Sequence, residues 1–296
     1  MSPVSGDLSV RTRGVGGPVA PEVVEVPRGW ILGRRRILVL VHGYNNTEDD
    51  ARQSYRVYAE NLEAGPACDR LPDLGRFLWP GDSAWGFLSA LSYPWEIGDA
   101  RQSASRLARF FAGVFGPEGG PTELNFVGHS LGCRLLLETL ALVASGAVGG
   151  WPEVRRLCLM AAAVPVELVE ATGRLEAAAR WPRSLLLLFS PDDAVLHFAF
   201  PIGQAAAFAL GEEDGLYLTA VGRHGQPSGL TPYRVELSGD GHSDYWPDAR
   251  AARLMSAFLG EAVPRELASR GRLTRPEPEA RPLAERQIQS RESPEE

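Results

Sequence analysis

Lysine is absent from this sequence: all 30 basic residues are arginine, set against 37 acidic ones, for a formal net charge of −7. A chain without lysine has no amine for a Schiff base, no lysine nucleophile and no P-loop lysine for a nucleotide phosphate. The acidic balance gives the chain as a whole no electrostatic reason to bind nucleic acid or an anionic membrane. Cysteine is scarce as well. Cys68, Cys133 and Cys158 show neither a disulfide framework nor zinc-ligand spacing, which fits a reducing compartment. No apolar run approaches the ~18 residues of a membrane span. The opening Met1-Ser-Pro-Val-Ser-Gly-Asp-Leu8 lacks the basic start and apolar stretch of a secretion signal. The expectation is a cytoplasmic protein with no nucleic-acid partner and no membrane span. What is present is ordinary for a globular chain, 44% hydrophobic and 23% charged residues. Its 296 residues suffice for one large α/β domain or two small ones.

The stretch that organises the rest is Asn125-Phe-Val-Gly-His-Ser-Leu-Gly-Cys-Arg134, which holds the G-x-S-x-G pattern at Gly128 to Gly132. Glu123 to Val127 reads as a buried strand and Leu131 to Ser145, rich in Leu and Ala, as a helix. A serine between strand and helix sits on a sharp turn that holds its hydroxyl out at the sheet edge, and the flanking glycines leave room for the neighbouring chain. The pattern alone is a weak signal. It gains weight only if the chain also supplies a base, an acid and an oxyanion hole.

Ile37 to Val41 reads as a central strand buried on both faces. His42-Gly-Tyr-Asn-Asn46 follows it. A tight turn at Gly43 would aim the Tyr44 N–H into a site, and the N–H of Leu131, next to the serine, would be the second oxyanion donor. Thr47 to Glu63 reads as a helix, Arg76 to Trp79 as a strand, and Ala100 to Val114 as an amphipathic helix. Between the last two, Trp85, Phe87, Leu88, Leu91, Tyr93 and Trp95 crowd one window. They read either as core packing or as an apolar wall for a substrate. His42, Gly43, Trp79, Trp85 and His129 are the candidate pocket residues, with His42 also steadying its own loop and His129 packing beneath the elbow.

Further strands are expected at Arg156 to Met160, Ser184 to Phe189 and Tyr233 to Leu237, with a short helix over Val166 to Ala179 and another beginning near Pro201 in the apolar stretch Leu196 to Leu210. Ser190-Pro-Asp-Asp-Ala194 comes off the end of one strand, where the functional loops of a parallel sheet gather. Asp193 is the favoured acid; Asp192, which could instead cap its own loop, is the alternative. His242 lies in the Gly-flanked loop after the last strand, placed to reach the serine, while Asp240 reads as a turn residue. A closing helix over Asp248 to Leu259 follows. The order Ser130, Asp193, His242 is that of α/β hydrolases.

His42-Gly-Tyr-Asn-Asn46, Trp79-Pro-Gly81, Gly128-His-Ser-Leu-Gly132, Ser190-Pro-Asp-Asp-Ala194 and Gly241-His-Ser243 together resemble the α/β-hydrolase superfamily. More narrowly they are similar to a bacterial group of predicted serine esterases with an H-G-Y-N-N loop. The resemblance spans Arg35 to Leu259. It implies a mostly parallel sheet with helices on both faces and no large cap domain, over residues 35–262. Residues 1–34 would be an N-terminal extension with a possible edge strand, and 263–296 a disordered charged tail. The implied activity is hydrolysis of a small-molecule acyl ester or thioester by Ser130, Asp193 and His242, with no metal or organic cofactor. A catalytically silent binding protein of the same fold, or an acyltransferase using the same three residues, are the alternatives. No protein partner is indicated.

Overall fold

Ile37 to Val41 are fully buried, as expected of a strand with helices over both faces, and they lie in β3 (Arg36–Val41) at the centre of the sheet. In chain order the other strands are β1 (Ser5–Arg11), β2 (Val19–Val26), β4 (Asp73–Leu78), β5 (Glu123–His129), β6 (Glu153–Met160), β7 (Ser184–Phe189), β8 (Tyr233–Ser238) and the two-residue β9 (Leu273–Thr274). A computed structural model describes residues 3–12, 16–82, 93–115, 120–260 and 273–274. Their order across the sheet is β2-β1-β4-β3-β5-β6-β7-β8-β9. Every neighbouring pair is parallel except β1 with β2.

The chain leaves β3 toward β4 on one side and returns to β5 on the other. The strand order therefore reverses between β3 and β5, and a crevice opens at the carboxyl ends of strands at such a point. His42 and Gly43 follow β3 there, and Ser130 follows β5.

Helices cover the faces. They are α1 (Glu48–Glu63), α2 (Tyr93–Val114), α3 (Leu131–Ala144), α4 (Val166–Val169), α5 (Glu176–Arg180), α6 (Phe200–Ala209), α7 (Val221–His224) and α8 (Ala249–Leu259). Thr47 caps α1 through a reciprocal capping box with Asp50, which satisfies two of the helix's orphan N–H groups. Asp248 caps α8.

Some elements differ from the sequence expectation. The N-terminal extension supplies two strands, and β1 pairs with β4 inside the sheet edge. The helix expected over Val166 to Ala179 is two short ones, because Thr172 takes φ 72° and turns the chain. Helix α2 starts at Tyr93, seven residues before the expected Ala100, with Pro94 in its first turn, a position that tolerates the missing N–H. Residues 83–92, including Trp85, Phe87, Leu88 and Leu91, lie outside the described residues, as does most of the expected tail. Between β6 and β7 the chain holds only α4 and α5, with no large cap.

Val195–Ala199 forms a π-helical turn that runs into α6. The segment after α6 is pinned to the elbow helix by buried charge. Arg134 on α3 reaches Glu138 at 2.7 Å and Glu213 at 2.8 Å, and Arg101 on α2 reaches Glu213 at 3.2 Å. Burial would raise the Glu138 carboxyl, but Arg134 and Arg174 outweigh it and hold it at about 2. A buried charge keeps its ionised form only when paired in this way.

Candidate active site

Ser130 sits between β5 and α3 with φ 53° and ψ −124°, a conformation a non-glycine residue holds only where its surroundings enforce it. Its N–H donates to Met160 O at 3.0 Å, and its carbonyl accepts from Cys133 and Ala163 at 3.1 and 3.2 Å. The glycines of the motif have a direct cause. A Cβ on Gly132 would lie 2.3 Å from His42 O, and one on Gly128 would lie 2.9 Å from Leu136 Cδ1 and 3.0 Å from Cys133 Cα.

The loops after β7 and β8 meet this turn. His242 Nε2 lies 2.7 Å from Ser130 Oγ, and His242 Nδ1 lies 2.7 Å from Asp193 Oδ2. Asp193 is fully buried, and its other oxygen accepts the Leu196 N–H at 2.9 Å. An ionised carboxylate can only accept, so Nδ1 carries the imidazole proton and Nε2 is left to accept from the serine hydroxyl. Asp192 points elsewhere and accepts the Gly239 N–H at 3.0 Å. Asp240 is paired with Arg250 at 2.6 Å, away from His242. Burial raises its pKa to about 6, against the pull of Arg250.

His42 and Trp79 lie beneath the loop that follows β3, both fully buried and stacked with ring centroids 5.5 Å apart. The Trp79 backbone N–H donates to His42 Nε2 at 3.3 Å, and its indole N–H donates to His42 O at 2.9 Å. His42 Nδ1 is therefore the protonated nitrogen, and it donates to Gly43 O at 2.8 Å. In a trans peptide the carbonyl and the next N–H point in opposite directions, so this bond fixes the Tyr44 N–H facing away from His42. A Cβ on Gly43 would sit 2.7 Å from Ser130 Cβ, which shows how closely this loop approaches the serine. Leu131 opens α3, so its N–H is one of the four without an intrahelical acceptor.

A cavity of about 310 Å³ lies over Ser130 and His242. Asn45, Asn46, Ser54 and Ser243 give it a polar side, while Ala163, Val195, Leu196, Ala199, Phe200 and Trp246 give it an apolar one, with Tyr44 and His129 also on its wall. Of the five pocket residues expected from sequence, His129 is on this wall. Gly43 belongs to the loop after β3, and His42 and Trp79 are packed under it, where the indole and imidazole are held by their hydrogen bonds. Trp85 lies outside the described residues, and Trp95, in the first turn of α2, is 63% exposed. Among the described residues the apolar side comes mainly from the π-helical turn after Asp193 and the start of α6, with Ala163 and Trp246. Its sequence signal is the mostly apolar run Leu196 to Leu210, which follows closely after the acid.

Burial lowers His42 to about 4 and His129 to about 3, from an ordinary 6.5. Both are depressed, so the folded protein binds fewer protons than the unfolded chain below about pH 6.5. The stability tied to each is complete above about 6.5 and is lost as pH falls toward the folded value, at ~1.4 kcal/mol per pH unit. Relative to wild type, H129Q should therefore gain ~1.4 kcal/mol of unfolding free energy per pH unit on going from about pH 6 to about pH 5. Urea melts of the two proteins check this, and a difference that stays constant with pH would contradict a neutral, buried His129.

Among the described residues no group of three or more His, Cys, Asp or Glu side chains could hold a metal ion, and no helix is long and apolar enough to cross a membrane.

Residues 32–213 match the sequence family described as "Alpha/beta hydrolase of unknown function (DUF900)". No curated protein matches the chain. Among solved structures it is similar to carboxyl esterase 2 from the mycorrhizal fungus Tuber melanosporum, at 12% identity, with 79% of each chain covered and a TM-score of 0.43. It is similar to a hyperthermophilic esterase from the archaeon Pyrobaculum calidifontis at 15% identity, covering 77% of this chain and 75% of that one, with a TM-score of 0.42. For acyl-protein thioesterase 2 from Zea mays the values are 16%, 77%, 95% and 0.40. Likenesses this distant carry no conclusion about activity.

Proposed function

The chain belongs to the α/β-hydrolase family matched over residues 32–213, and from that premise we propose that it is a serine hydrolase cleaving carboxylic esters or thioesters. The observation that carries this reading is the continuous hydrogen-bonded line from Asp193 through His242 to Ser130, with both links at 2.7 Å. A serine hydroxyl is a poor nucleophile until a positioned base takes its proton.

In the proposed reaction the Ser130 oxygen attacks the acyl carbon as its proton passes to His242 Nε2. Asp193, accepting from Nδ1–H, holds the ring's tautomer and stabilises the imidazolium that forms. The N–H groups of Tyr44 and Leu131 receive the oxyanion, each worth ~3 kcal/mol of transition-state stabilisation. Collapse breaks the bond to the leaving alcohol or thiol, which takes the proton from His242 and leaves an acyl group on Ser130. Water then attacks that acyl group, with His242 again as base, and the acid and free enzyme are released. No step in this scheme calls for a metal or an organic cofactor. The wall of Ala163, Val195, Leu196, Ala199 and Phe200 suits an acyl chain, and Asn45, Asn46, Ser54 and Ser243 suit the polar part of the substrate.

A panel of p-nitrophenyl esters and matched thioesters of increasing acyl length tests this. Turnover is expected, rising from acetyl to butyryl substrates as the chain fills the apolar wall, and F200A should move the optimum to longer chains. No turnover of any member would contradict the assignment; a profile flat with acyl length would contradict only the placement of the acyl chain.

A further inference from the structure

His129 has no part in the chemistry just described, yet it holds the base from behind. The Asp193 bond fixes the ring of His242 at its Nδ1 end. The loop that carries the ring is rich in glycine, with Gly239 at φ 81°, so its backbone is intrinsically pliant. The stretch leading into His242 is tied by Gly239 N–H to Asp192, by Asp240 to Arg250 and by Gly241 N–H to Asp244 Oδ2. At the position of the base itself, the tie is from His129 Nε2 to the His242 carbonyl, at 2.7 Å.

A carbonyl oxygen only accepts, so His129 Nε2 carries the proton and donates. The other nitrogen, Nδ1, is buried and has no hydrogen-bond partner; it faces Gly43, 3.0 Å from where a Cβ there would stand. An imidazole with one nitrogen unsatisfied is a poor choice for packing alone, because an apolar side chain would fill the place without that cost. The ring is enclosed by His242 at 5.2 Å and by Tyr245 and Trp246 at 6.0 Å. Burial, helped by the neighbouring His242 and His42 imidazoles, keeps it neutral to about pH 3, against the opposing pull of the His242 carbonyl and Asp193. It can therefore donate unchanged over the range in which a catalytic histidine works, and it places no second positive charge beside an imidazolium.

We propose that His129 is a positioning residue whose Nε2–H, through the His242 carbonyl, sets the base at bonding distance from the hydroxyl of the very next residue, Ser130. The tie is short in sequence as well as in space. The nucleophile and the clamp on its base share one rigid turn at the end of β5, so the Nε2 to Oγ distance is set from both ends of His242. The proposal rests on the serine-hydrolase reading.

The test compares wild type with H129L, which keeps bulk but removes the donor, and H129Q, whose side-chain amide can donate over a similar reach. With p-nitrophenyl acetate, H129L should lower kcat ~10–100-fold with KM within about twofold, as expected when a reacting group is misplaced by a fraction of an ångström to an ångström. H129Q should recover most of that loss. A wild-type protein that turns over no ester would sink the hydrolase reading itself. An active wild type with H129L equal to it, or with H129L and H129Q reduced alike in kcat, would overturn the positioning role alone. If H129L does not fold, nitrogen-15 spectra of the wild-type histidines decide. The proposal requires the His129 Nε2–H tautomer, invariant between about pH 5 and 8, and an Nδ1–H tautomer or a titrating ring would refute it.

Discussion

S130A is expected to lose at least ~10⁴-fold in kcat on activated esters while keeping its fold. The hydroxyl oxygen is the only heavy atom removed, and the turn that holds residue 130 is made by the backbone: Met160 O, Cys133 N–H and Ala163 N–H are all still in place. The lost partner of His242 Nε2 borders the cavity, where water can replace it. The unfolding free energy should therefore stay within ~1 kcal/mol of wild type. Steady-state kinetics and a urea melt on the same preparation give both numbers. Undiminished turnover would mean that some other group performs the reaction.

D193N should be nearly as damaging, at ~10⁴-fold in kcat. An amide can present its NH₂ to Nδ1, which favours the tautomer with the proton on Nε2, and that nitrogen then no longer accepts from Ser130. Asp193 Oδ1 also receives the Leu196 N–H, a bond the amide oxygen of asparagine can keep, so the loss falls on the imidazole and not on the loop. D192N is the control. Asp192 stands one residue away but, among the described residues, accepts from the loop at Gly239 and not from His242, and its substitution should leave kcat within a few-fold of wild type. The reverse ranking of the two variants would assign the acid to Asp192.

The parts of the site readable from sequence are those where local chemistry leaves few choices. The run Ile37 to Val41 has no polar residue to offer solvent, so it could only be a strand covered on both faces. Gly128 and Gly132 announced close approach, and the approaching atoms are Leu136, Cys133 and the carbonyls of Val41 and His42. Between Asp192 and Asp193 the residues that follow, Ala194 and Val195, hinted at the inward-facing one, and the distances to His242 favour the same choice. The order of strand, loop and acid carried the rest.

What was not readable depended on pairing at a distance. Strand β1 hides behind polar residues. Asp7 within it is buried only because Arg52 and Arg76 from two other elements pair with it, and no local pattern foretells that. Trp79 looked like pocket lining because it is large and apolar, but its indole N–H has its acceptor on His42 and takes the ring under the loop. The break at Thr172 needs a left-handed residue that β-branched threonine seldom supplies. The part of the wall that lies after the acid is visible only in the folded chain, where Val195 to Phe200 turn back over Ser130. The hold of His129 on His242 is likewise a meeting of two loops 113 residues apart.

The central claim is that His242 makes the Ser130 oxygen nucleophilic. Treating the protein with a fluorophosphonate and mapping the adduct by peptide mass spectrometry tests it most directly, because the reagent bonds to a serine only when a base activates it. One phosphonyl group is expected, on the peptide containing Ser130, with labelling lost in S130A and slowed in H242A. An intact protein that stays unlabelled, or one labelled at a different serine, would contradict the account.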